Sequence, residues 1–285
     1  MSKVAIVTDS TSNIPDENLE NLPIIQVPLQ LNWGENTYRD GIDLSAEEFY
    51  TRLQTASVMP STSQPTPSIF ESIYRDLLQK GYDIVSIHIS SKLSGTLDSA
   101  IQAKNRIASG RIAVMDSLTA SMAQGFIVLT AARAAASGAS FDECQKLASE
   151  AAKKNGILFV VKTLEFLRRG GRIGGAAALL GTALNLKPIL TVRDGQVEAQ
   201  EKIRTMNKAL DRCLDILLDR VKGKFPLHLA LLHANAPEEA QNLFTLVKEK
   251  LGNNAMTEIL FNQVSPVIGT HTGPGTVGIA YLYGV

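Results

Sequence analysis

The sequence predicts an α/β protein of two domains, in which parallel or mixed sheets are flanked by helices. Short β-rich runs alternate with helical patterns along the chain, which is typical of sheets covered by helices. At about 150 residues per domain, the 285 residues fit two domains. The 45% apolar content is enough for two hydrophobic cores without disulfides or metals. We place the boundary near residue 155, which gives an N-terminal domain of residues 1–155 and a C-terminal domain of residues 156–285.

The N-terminal domain is predicted from apolar runs and helical periodicity. Apolar runs predict strands at residues 4–8, 24–32, 36–39, 84–89 and 111–115. Helical patterns follow Pro15 and cover residues 45–53, 69–78, 95–108, 119–136 and 140–155. Ser45 stands three residues before Glu48, which is the spacing of a capping box at a helix start. Gly156 is expected to end the helix that precedes it.

The C-terminal domain shows the same alternation. Strands are predicted at residues 157–162, 188–192, 197–202, 228–233, 258–262 and 277–283. Helices are predicted at residues 163–168, 174–184, 205–221 and 237–251. Asp194-Gly195 separates two of the strands, which predicts a hairpin.

Charge and cysteine usage exclude several classes of protein. The 28 Lys+Arg balance 28 Asp+Glu, which argues against a nucleic-acid or peripheral membrane partner. Cys144 and Cys213 are isolated, which predicts inert thiols in a reducing compartment and no metal site. The first residues lack the layout of a signal peptide, and no apolar stretch is long enough to span a bilayer. We therefore expect a cytoplasmic protein without stable membrane insertion.

Common catalytic and cofactor motifs are absent or out of context. Residues 273–278 match the GxGxxG pattern of dinucleotide-binding sites. They precede a C-terminal strand instead of opening a helix, which argues against a dinucleotide-binding site here. The sequence contains no P-loop, no GxSxG elbow and no HExxH motif. We expect no resident cofactor and no catalytic motif in this chain.

Of the four histidines, one lies in a context typical of a binding site. His88, His228 and His233 lie within or beside apolar strands and are expected to be structural. His271 stands in a segment of small residues, predicted to be a loop, and is a candidate site residue.

Three polar loops, residues 60–67, 90–96 and 270–275, combine hydroxyl side chains with Gly or Pro near strand or helix ends. In open parallel sheets, ligands bind beyond the carboxyl ends of the strands, where such loops gather. The turn at Ser94, Gly95 and Thr96 opens a predicted helix, so its amides and hydroxyls can receive an anionic head group. For each loop taken alone, simple helix capping is a slightly better explanation than a binding site.

Six segments, in this order, resemble the DegV family: Val7-Thr8-Asp9-Ser10, Thr62-Ser63-Gln64-Pro65, Ser90-Ser91-Lys92-Leu93-Ser94-Gly95-Thr96, Leu164-Glu165-Phe166-Leu167-Arg168-Arg169-Gly170-Gly171-Arg172-Ile173, Lys187-Pro188-Ile189 and Gly269-Thr270-His271-Thr272-Gly273-Pro274-Gly275. Members of that family bind long-chain fatty acids. In bacteria they are similar to the lipid-carrying subunit of fatty acid kinase, which presents its fatty acid to a separate ATP-binding subunit that makes the acyl phosphate.

The resemblance implies roles for particular residues. Thr62, Ser94 and His271 would hold the fatty acid carboxylate. Ser63, Gly95 and Thr96 are further candidates for this contact. Basic residues of the family help to dock the kinase subunit or to complete the site, and the matching candidates in this chain are Arg168, Arg172 and Arg204. A solvated basic face or an interdomain ion-pair network is the alternative for each of them. The resemblance further implies a buried lipid tunnel near the domain interface, a ligand such as palmitate, a role in phospholipid synthesis, and no enzymatic activity of the chain by itself.

The chemistry of a fatty acid agrees with these expectations. A palmitate-sized chain buries about fourteen methylenes, which contribute on the order of 11 kcal/mol before binding costs. Hydroxyl and imidazole donors can then place the carboxylate without a tight bidentate Arg. The helix at residues 119–136, with Met122, Phe126 and Ile127, and the run at residues 173–186 are candidate walls of the tunnel. Ordinary core packing is the alternative for both.

Two other functions stay open from the residues alone. Ser94 with His271 as its base makes a hydrolase or transferase conceivable, with Asp9 as the acid that orients the base. A passive lipid-storage or sensing module without a kinase partner is the third alternative.

Overall fold

The computed structural model describes residues 3–181, 186–252 and 258–285. The strands of the N-terminal half are β1 (Lys3–Asp9), β2 (Ile24–Val27), β3 (Gln30–Trp33), β4 (Asn36–Arg39), β5 (Ser61–Ser63), β6 (Tyr82–His88) and β7 (Ile112–Asp116). Its helices are α1 (Asp16–Leu19), α2 (Ala46–Leu53), α3 (Pro67–Gln79), α4 (Thr96–Asn105), α5 (Met122–Ala136) and α6 (Phe141–Lys153), with a 3-10 turn at Ser10–Ser12. A parallel sheet has the order β2-β1-β6-β7, and a small antiparallel sheet has the order β4-β3-β5.

The C-terminal half is built on one six-stranded sheet. Its strands are β8 (Asn155–Val160), β9 (Ile189–Arg193), β10 (Gln196–Glu201), β11 (Leu227–Ala234), β12 (Glu258–Gln263) and β13 (Thr276–Tyr283). Its helices are α7 (Glu165–Arg169), α8 (Met206–Val221), α9 (Pro237–Leu251) and α10 (Pro266–Thr272), with a 3-10 helix at Gly174–Leu179. The strand order is β10-β9-β8-β13-β11-β12, and only β11 and β12 pair in parallel. The predicted fold class, α/β with parallel and mixed sheets flanked by helices, is confirmed; the boundary at residue 155 stays a prediction.

Local sequence signals account for several helix ends. Ser45 accepts a hydrogen bond from the Glu48 amide at the start of α2, and the Glu48 carboxyl accepts one from the Ser45 amide, so the predicted capping box is formed. Ser140 and Glu143 form a second capping box at the start of α6.

Some predicted elements differ from the structure. The predicted strand at residues 24–32 is two strands in different sheets, because Pro28, which has no amide hydrogen, lies between β2 and β3. Gly156 lies inside β8, and α6 ends before it, with Lys154 as its C-cap. The helix predicted at residues 174–184 is a 3-10 helix over Gly174–Leu179, and residues 182–185 lie outside the described residues. The loops at residues 60–67 and 270–275 contribute to β5 and α10.

Helix α5 lies between the two large sheets. It packs against β1 and β6 on one side and against β8 and β13 on the other. Contact with both sheets explains why this helix is apolar nearly all round and why ten of its fifteen residues are buried. Within the described ranges, no helix is both long and apolar enough to cross a bilayer.

Candidate functional site

An internal cavity lies where the C-terminal sheet meets the loops that follow the N-terminal strands. Residues from both halves line it, including Leu29, Ile89 and Leu93 on one side and Phe159 and Leu232 on the other. Its empty space amounts to about 950 Å³, counting the part open to solvent. A mostly apolar lining with a few polar side chains is typical of a site for a small organic ligand.

Thr62, Ser94 and His271 line this one cavity, although they come from β5, the loop before α4, and α10. Thr62 Oγ1 and His271 Nε2 are hydrogen-bonded at 2.8 Å. Ser94 Oγ lies 2.9 Å from Thr96 Oγ1 and accepts a hydrogen bond from the Thr96 amide at 3.3 Å. The structure therefore places the three predicted head-group residues on one apolar cavity and brings two of them, Thr62 and His271, into hydrogen-bond contact.

The other candidates of these loops divide between lining and support. Ser63 lines the cavity, and so does Gln64, which the sequence analysis did not single out. Gly95 and Thr96 do not line it. Thr96 is fully buried and holds the Ser94 hydroxyl, while a Cβ at Gly95 would lie 2.8 Å from the Gln64 amide nitrogen. Gly95 therefore leaves room for the Gln64 side chain, and Thr96 positions the Ser94 hydroxyl, so both affect residues that line the cavity.

His271 lies in the last turn of α10 instead of in a loop, because Pro266 begins a short helix there. Burial, with a smaller contribution from the nearby Arg172 guanidinium, lowers the pKa of His271 from 6.5 to about 4. The imidazole is therefore neutral at physiological pH. Its Nδ1 is buried without a hydrogen-bond partner among the described residues, and it packs so closely on Gly170 that a Cβ there would collide with it.

Asp40 holds the start of α10, and the sequence analysis missed this residue. Its buried carboxyl accepts hydrogen bonds from the Val267 amide at 3.0 Å and from the Ser10 hydroxyl at 2.7 Å. Desolvation by burial raises the pKa of Asp40 above its usual value. In the sequence, Asp40 precedes Gly41 and looks like a turn residue, so no local signal marks its contact with a helix more than two hundred residues away.

The three candidate docking arginines, Arg168, Arg172 and Arg204, have different surroundings in the structure. Arg172 lines the cavity and donates hydrogen bonds to the carbonyl oxygens of Leu93 at 2.9 Å and Gly170 at 2.6 Å. Arg168 is exposed and paired with Glu165, whose pKa is lowered to about 2 by Arg168 and Arg169. Arg204 is also exposed, and it lines neither this cavity nor the second pocket described next.

A second pocket shares Thr62, Arg172 and His271 with the cavity. It adds Arg169 and the hydroxyl residues Ser61 and Thr270, and its empty space is about 760 Å³. Its apolar lining is Leu53, Met59, Pro60 and Phe166. Thr62 and His271 therefore line both the apolar cavity and a more polar pocket, while Ser94 lines only the cavity.

The arrangement of a serine hydrolase is not formed. Asp9 pairs with His88, whose Nδ1 lies 3.0 Å from Asp9 Oδ2, and has no contact with His271 among the described residues. The Ser94 hydroxyl is hydrogen-bonded to the Thr96 hydroxyl, and Nε2 of His271 is hydrogen-bonded to Thr62 instead of to Ser94. Without an acid on Nδ1 and a serine on Nε2, the imidazole has neither contact that a nucleophile-activating base needs.

The other three histidines have hydrogen-bond partners, although His233 also lines the cavity. His88 bonds Asp9, and His228 Nδ1 lies 3.1 Å from a carboxyl oxygen of Glu258. His233 Nδ1 accepts a hydrogen bond from the Ala236 amide at 3.4 Å. Within the described ranges, no group of three or more His, Cys, Asp or Glu side chains is arranged to hold a metal ion.

The two segments named as candidate tunnel walls, residues 119–136 and 173–186, contribute little to the lining of the cavity. Met122, Phe126 and Ile127 are buried in the core between the sheets, and only Ala120 and Ser121, ahead of α5, line the cavity. None of the described residues of the run at 173–186 lines it. The face of the six-stranded sheet forms the wall instead.

Removing the imidazole of His271 is expected to change the acid stability of the protein. Between pH 6.5 and about 4 the unfolded chain binds a proton at His271 that the folded protein does not. Protonation of His271 therefore leaves the free energy of unfolding unchanged above pH 6.5. It lowers this free energy as the pH drops toward 4, by about 3 kcal/mol in total. In urea unfolding at several pH values, His271→Gln should lose stability less steeply than the wild type over this range. Parallel curves for the two proteins would contradict the depressed pKa.

Comparison with known proteins identifies the family. A family model described as "Uncharacterised protein, DegV family" matches residues 3–284. A DegV domain-containing protein of Streptomyces coelicolor is 39% identical over 277 residues, which are 97% of each chain. The fold matches a solved fatty acid-binding DegV family protein from Thermus thermophilus with a TM-score of 0.92 and 35% identity, over 99% of each chain. It also matches DegV, a fatty acid binding protein from Bacillus subtilis, with a TM-score of 0.90 and 35% identity, over 99% of this chain and 100% of that one. The chain therefore belongs to the DegV family, as the order of its motifs indicates.

Proposed function

We propose that this protein binds one long-chain fatty acid in the cavity and presents its carboxylate to a separate ATP-dependent fatty acid kinase subunit, which forms the acyl phosphate. The observation that carries the proposal is the cavity itself, which is apolar along most of its wall and also lined by the polar side chains of Thr62, Ser94 and His271. The solved relatives from Thermus thermophilus and Bacillus subtilis are fatty acid-binding proteins, which supports the same ligand class here.

The tail supplies the affinity in this proposal. Burial of about fourteen methylenes contributes on the order of 11 kcal/mol before the entropic cost of binding is subtracted. The head group then needs orientation more than strong pairing. Thr62 and Ser94 offer hydroxyl groups, and the depressed pKa of His271 keeps its ring neutral, so none of the three forms a salt bridge with the carboxylate.

The second pocket supports presentation to a kinase. It shares Thr62, Arg172 and His271 with the apolar cavity, and it adds a second guanidinium, that of Arg169. An incoming phosphoryl group carries negative charge, which two guanidinium groups favour. We include Arg168, Arg172 and Arg204 in the surface that docks the kinase subunit. In this function the chain itself is no enzyme and needs no cofactor. The protein works in the cytoplasm, where ATP is available, and the acyl phosphate formed by the kinase subunit serves phospholipid synthesis.

Native mass spectrometry of the purified protein tests the binding step. We expect an added mass equal to one fatty acid, which extraction should release as a free acid such as palmitate. A protein that is free of ligand and also fails to take up palmitate would overturn the proposal.

Phosphorylation tests the presentation step. With the kinase subunit and ATP added, the bound fatty acid should become an acyl phosphate, and Arg172→Ala should slow this reaction while the lipid stays bound. Formation of acyl phosphate at the wild-type rate by Arg172→Ala would remove Arg172 from the docking surface.

A further inference from the structure

The wall of the cavity that belongs to the C-terminal sheet is one face of five neighbouring strands. The lining residues on this face are Ile157 and Phe159 of β8, Val192 of β9, Val197 of β10, Leu232 and Ala234 of β11, and Thr276 and Gly278 of β13. Within β8, β11 and β13 they lie two positions apart, as residues on one face of a strand must. His233, between Leu232 and Ala234, also borders the cavity, and its Nδ1 accepts a hydrogen bond from the Ala236 amide.

Gly278 is a gap in this wall. It is paired across the sheet with Phe159 on one side and with Leu232 on the other. Both neighbours have large side chains on the cavity face, while Gly278 has none. The neighbours of Gly278 on the same face of β13 are Thr276 and Ala280, which are also small. The middle of the wall is therefore a shallow groove along β13, bordered by Phe159 and Leu232.

The groove begins at the head-group end of the cavity. The Thr276 hydroxyl donates to the carbonyl oxygens of Thr272 at 3.0 Å and Gly273 at 2.9 Å, which ties the start of β13 to the end of α10 beside His271. Gly278 lies about 7 Å farther along the strand. A chain whose carboxylate is held by His271 and Thr62 can therefore run from Thr276 toward Gly278.

We infer that the acyl chain lies in this groove and that Gly278, between Phe159 and Leu232, determines which chain lengths and shapes the protein accepts. The inference rests on the proposed function and deepens it, because it names the feature that selects among fatty acids. A side chain at position 278 occupies the groove and shortens the usable part of the cavity. A smaller side chain at position 159 widens the groove and admits a bent chain.

A glycine at position 278 also has a purely structural explanation, which experiment can distinguish from a role in selecting fatty acids. A Cβ at this position would lie 3.1 Å from the Cβ of Phe159 and 3.2 Å from the carbonyl oxygen of Leu158, so the glycine also allows β8 and β13 to approach closely. If that were its only role, Gly278→Val would lower stability without changing the order of preference among fatty acids. If the groove holds the tail, the order itself changes.

The test measures the affinities of decanoate, palmitate, stearate and oleate for four proteins: the wild type, Gly278→Val, Phe159→Ala and Ile279→Val. Gly278→Val should weaken palmitate binding at least about tenfold, the effect of losing two methylenes from burial, and leave decanoate within about twofold. Phe159→Ala should raise the affinity for oleate relative to stearate by about threefold or more. Ile279 lies on the same strand but faces the other core, so Ile279→Val should keep the wild-type order.

The outcomes distinguish this inference from the proposed function. A wild-type protein that binds none of the four acids overturns the proposed function itself. A wild-type protein that binds them, with Gly278→Val folded by circular dichroism and weakened equally for decanoate and palmitate, overturns only the role of Gly278. If Gly278→Val does not fold, Phe159→Ala decides the matter, and an unchanged oleate-to-stearate ratio overturns the groove.

Discussion

Replacing Asp9 by alanine is expected to lower the free energy of unfolding by about 3–5 kcal/mol, because its carboxyl group is the common acceptor of a buried network. One oxygen accepts from the Thr11 amide at 3.2 Å and from the Thr11 hydroxyl. The other accepts from His88 Nδ1 and the Ile89 amide, both at 3.0 Å, and from the Gln124 amide nitrogen at 3.2 Å. Alanine leaves all of these donors without their acceptor inside the protein.

The network continues beyond His88. Nδ1 of His88 donates to the Asp9 carboxylate oxygen, which only accepts. Nε2 of His88 lies 2.7 Å from the Ser86 hydroxyl oxygen, which lies 2.7 Å from the Tyr74 hydroxyl oxygen. The chain of hydrogen bonds from Tyr74 therefore ends on the Asp9 carboxyl group.

Urea unfolding of three variants tests the importance of Asp9. Asp9→Asn keeps the shape and one acceptor oxygen, so we expect it to lose less stability than Asp9→Ala. Asp76→Ala is the control, because Asp76 forms an exposed ion pair with Lys80, and its loss should be within about 0.5 kcal/mol. A loss for Asp9→Ala as small as that of the control would contradict the network's contribution.

The same network reaches the candidate site. The Ile89 amide bonds Asp9, and the next residue, Ser90, begins the turn in which its carbonyl accepts from the Ser94 amide at 3.0 Å. Asp9 therefore anchors the strand end from which Ser94 projects into the cavity. Its contact with His88 also explains why the acid proposed for a catalytic triad is not available to His271.

Local periodicity predicts most elements of this fold, because most helices and strands here are long enough to show it. Two site-bearing elements are exceptions. Strand β5 is only Ser61–Ser63, with no apolar alternation, and it exists because β3 pairs with it. Helix α10 has seven residues and is held by the Asp40 carboxyl and by packing of Gly269 on the Tyr50 ring. Both depend on contacts distant in sequence, which no local pattern encodes.

The gathering of the site residues is likewise a consequence of topology. Thr62 and His271 are more than two hundred residues apart, and only the packing of α10 against β5 brings them within a hydrogen bond. The family resemblance names both residues, whereas loop composition alone slightly favours helix capping over a binding site. For the helical run with Met122 and Phe126, the structure favours the alternative of ordinary core packing, because the helix is apolar where it packs between two sheets.

The double variant Thr62→Val with Ser94→Ala is expected to weaken fatty acid binding by about 1–3 kcal/mol, or between fivefold and about 150-fold in affinity. Both substitutions remove a hydroxyl with little change of volume, so the apolar cavity that holds the tail stays the same. The loss arises because the carboxylate is taken out of water without these donors to replace its hydrogen bonds. In the variant, Nε2 of His271 also loses its partner, Thr62.

Two comparisons separate a head-group effect from a general loss of binding. Hexadecanol has the tail of palmitate without its charge, so the double variant should bind it nearly as well as the wild type does. The control variant Thr245→Val with Ser149→Ala removes the same two kinds of hydroxyl from α9 and α6, where each bonds only a carbonyl oxygen of its own helix. It should bind both ligands with wild-type affinity. Palmitate and hexadecanol weakened to the same extent by Thr62→Val with Ser94→Ala would mean that these hydroxyls shape the cavity instead of receiving the carboxylate.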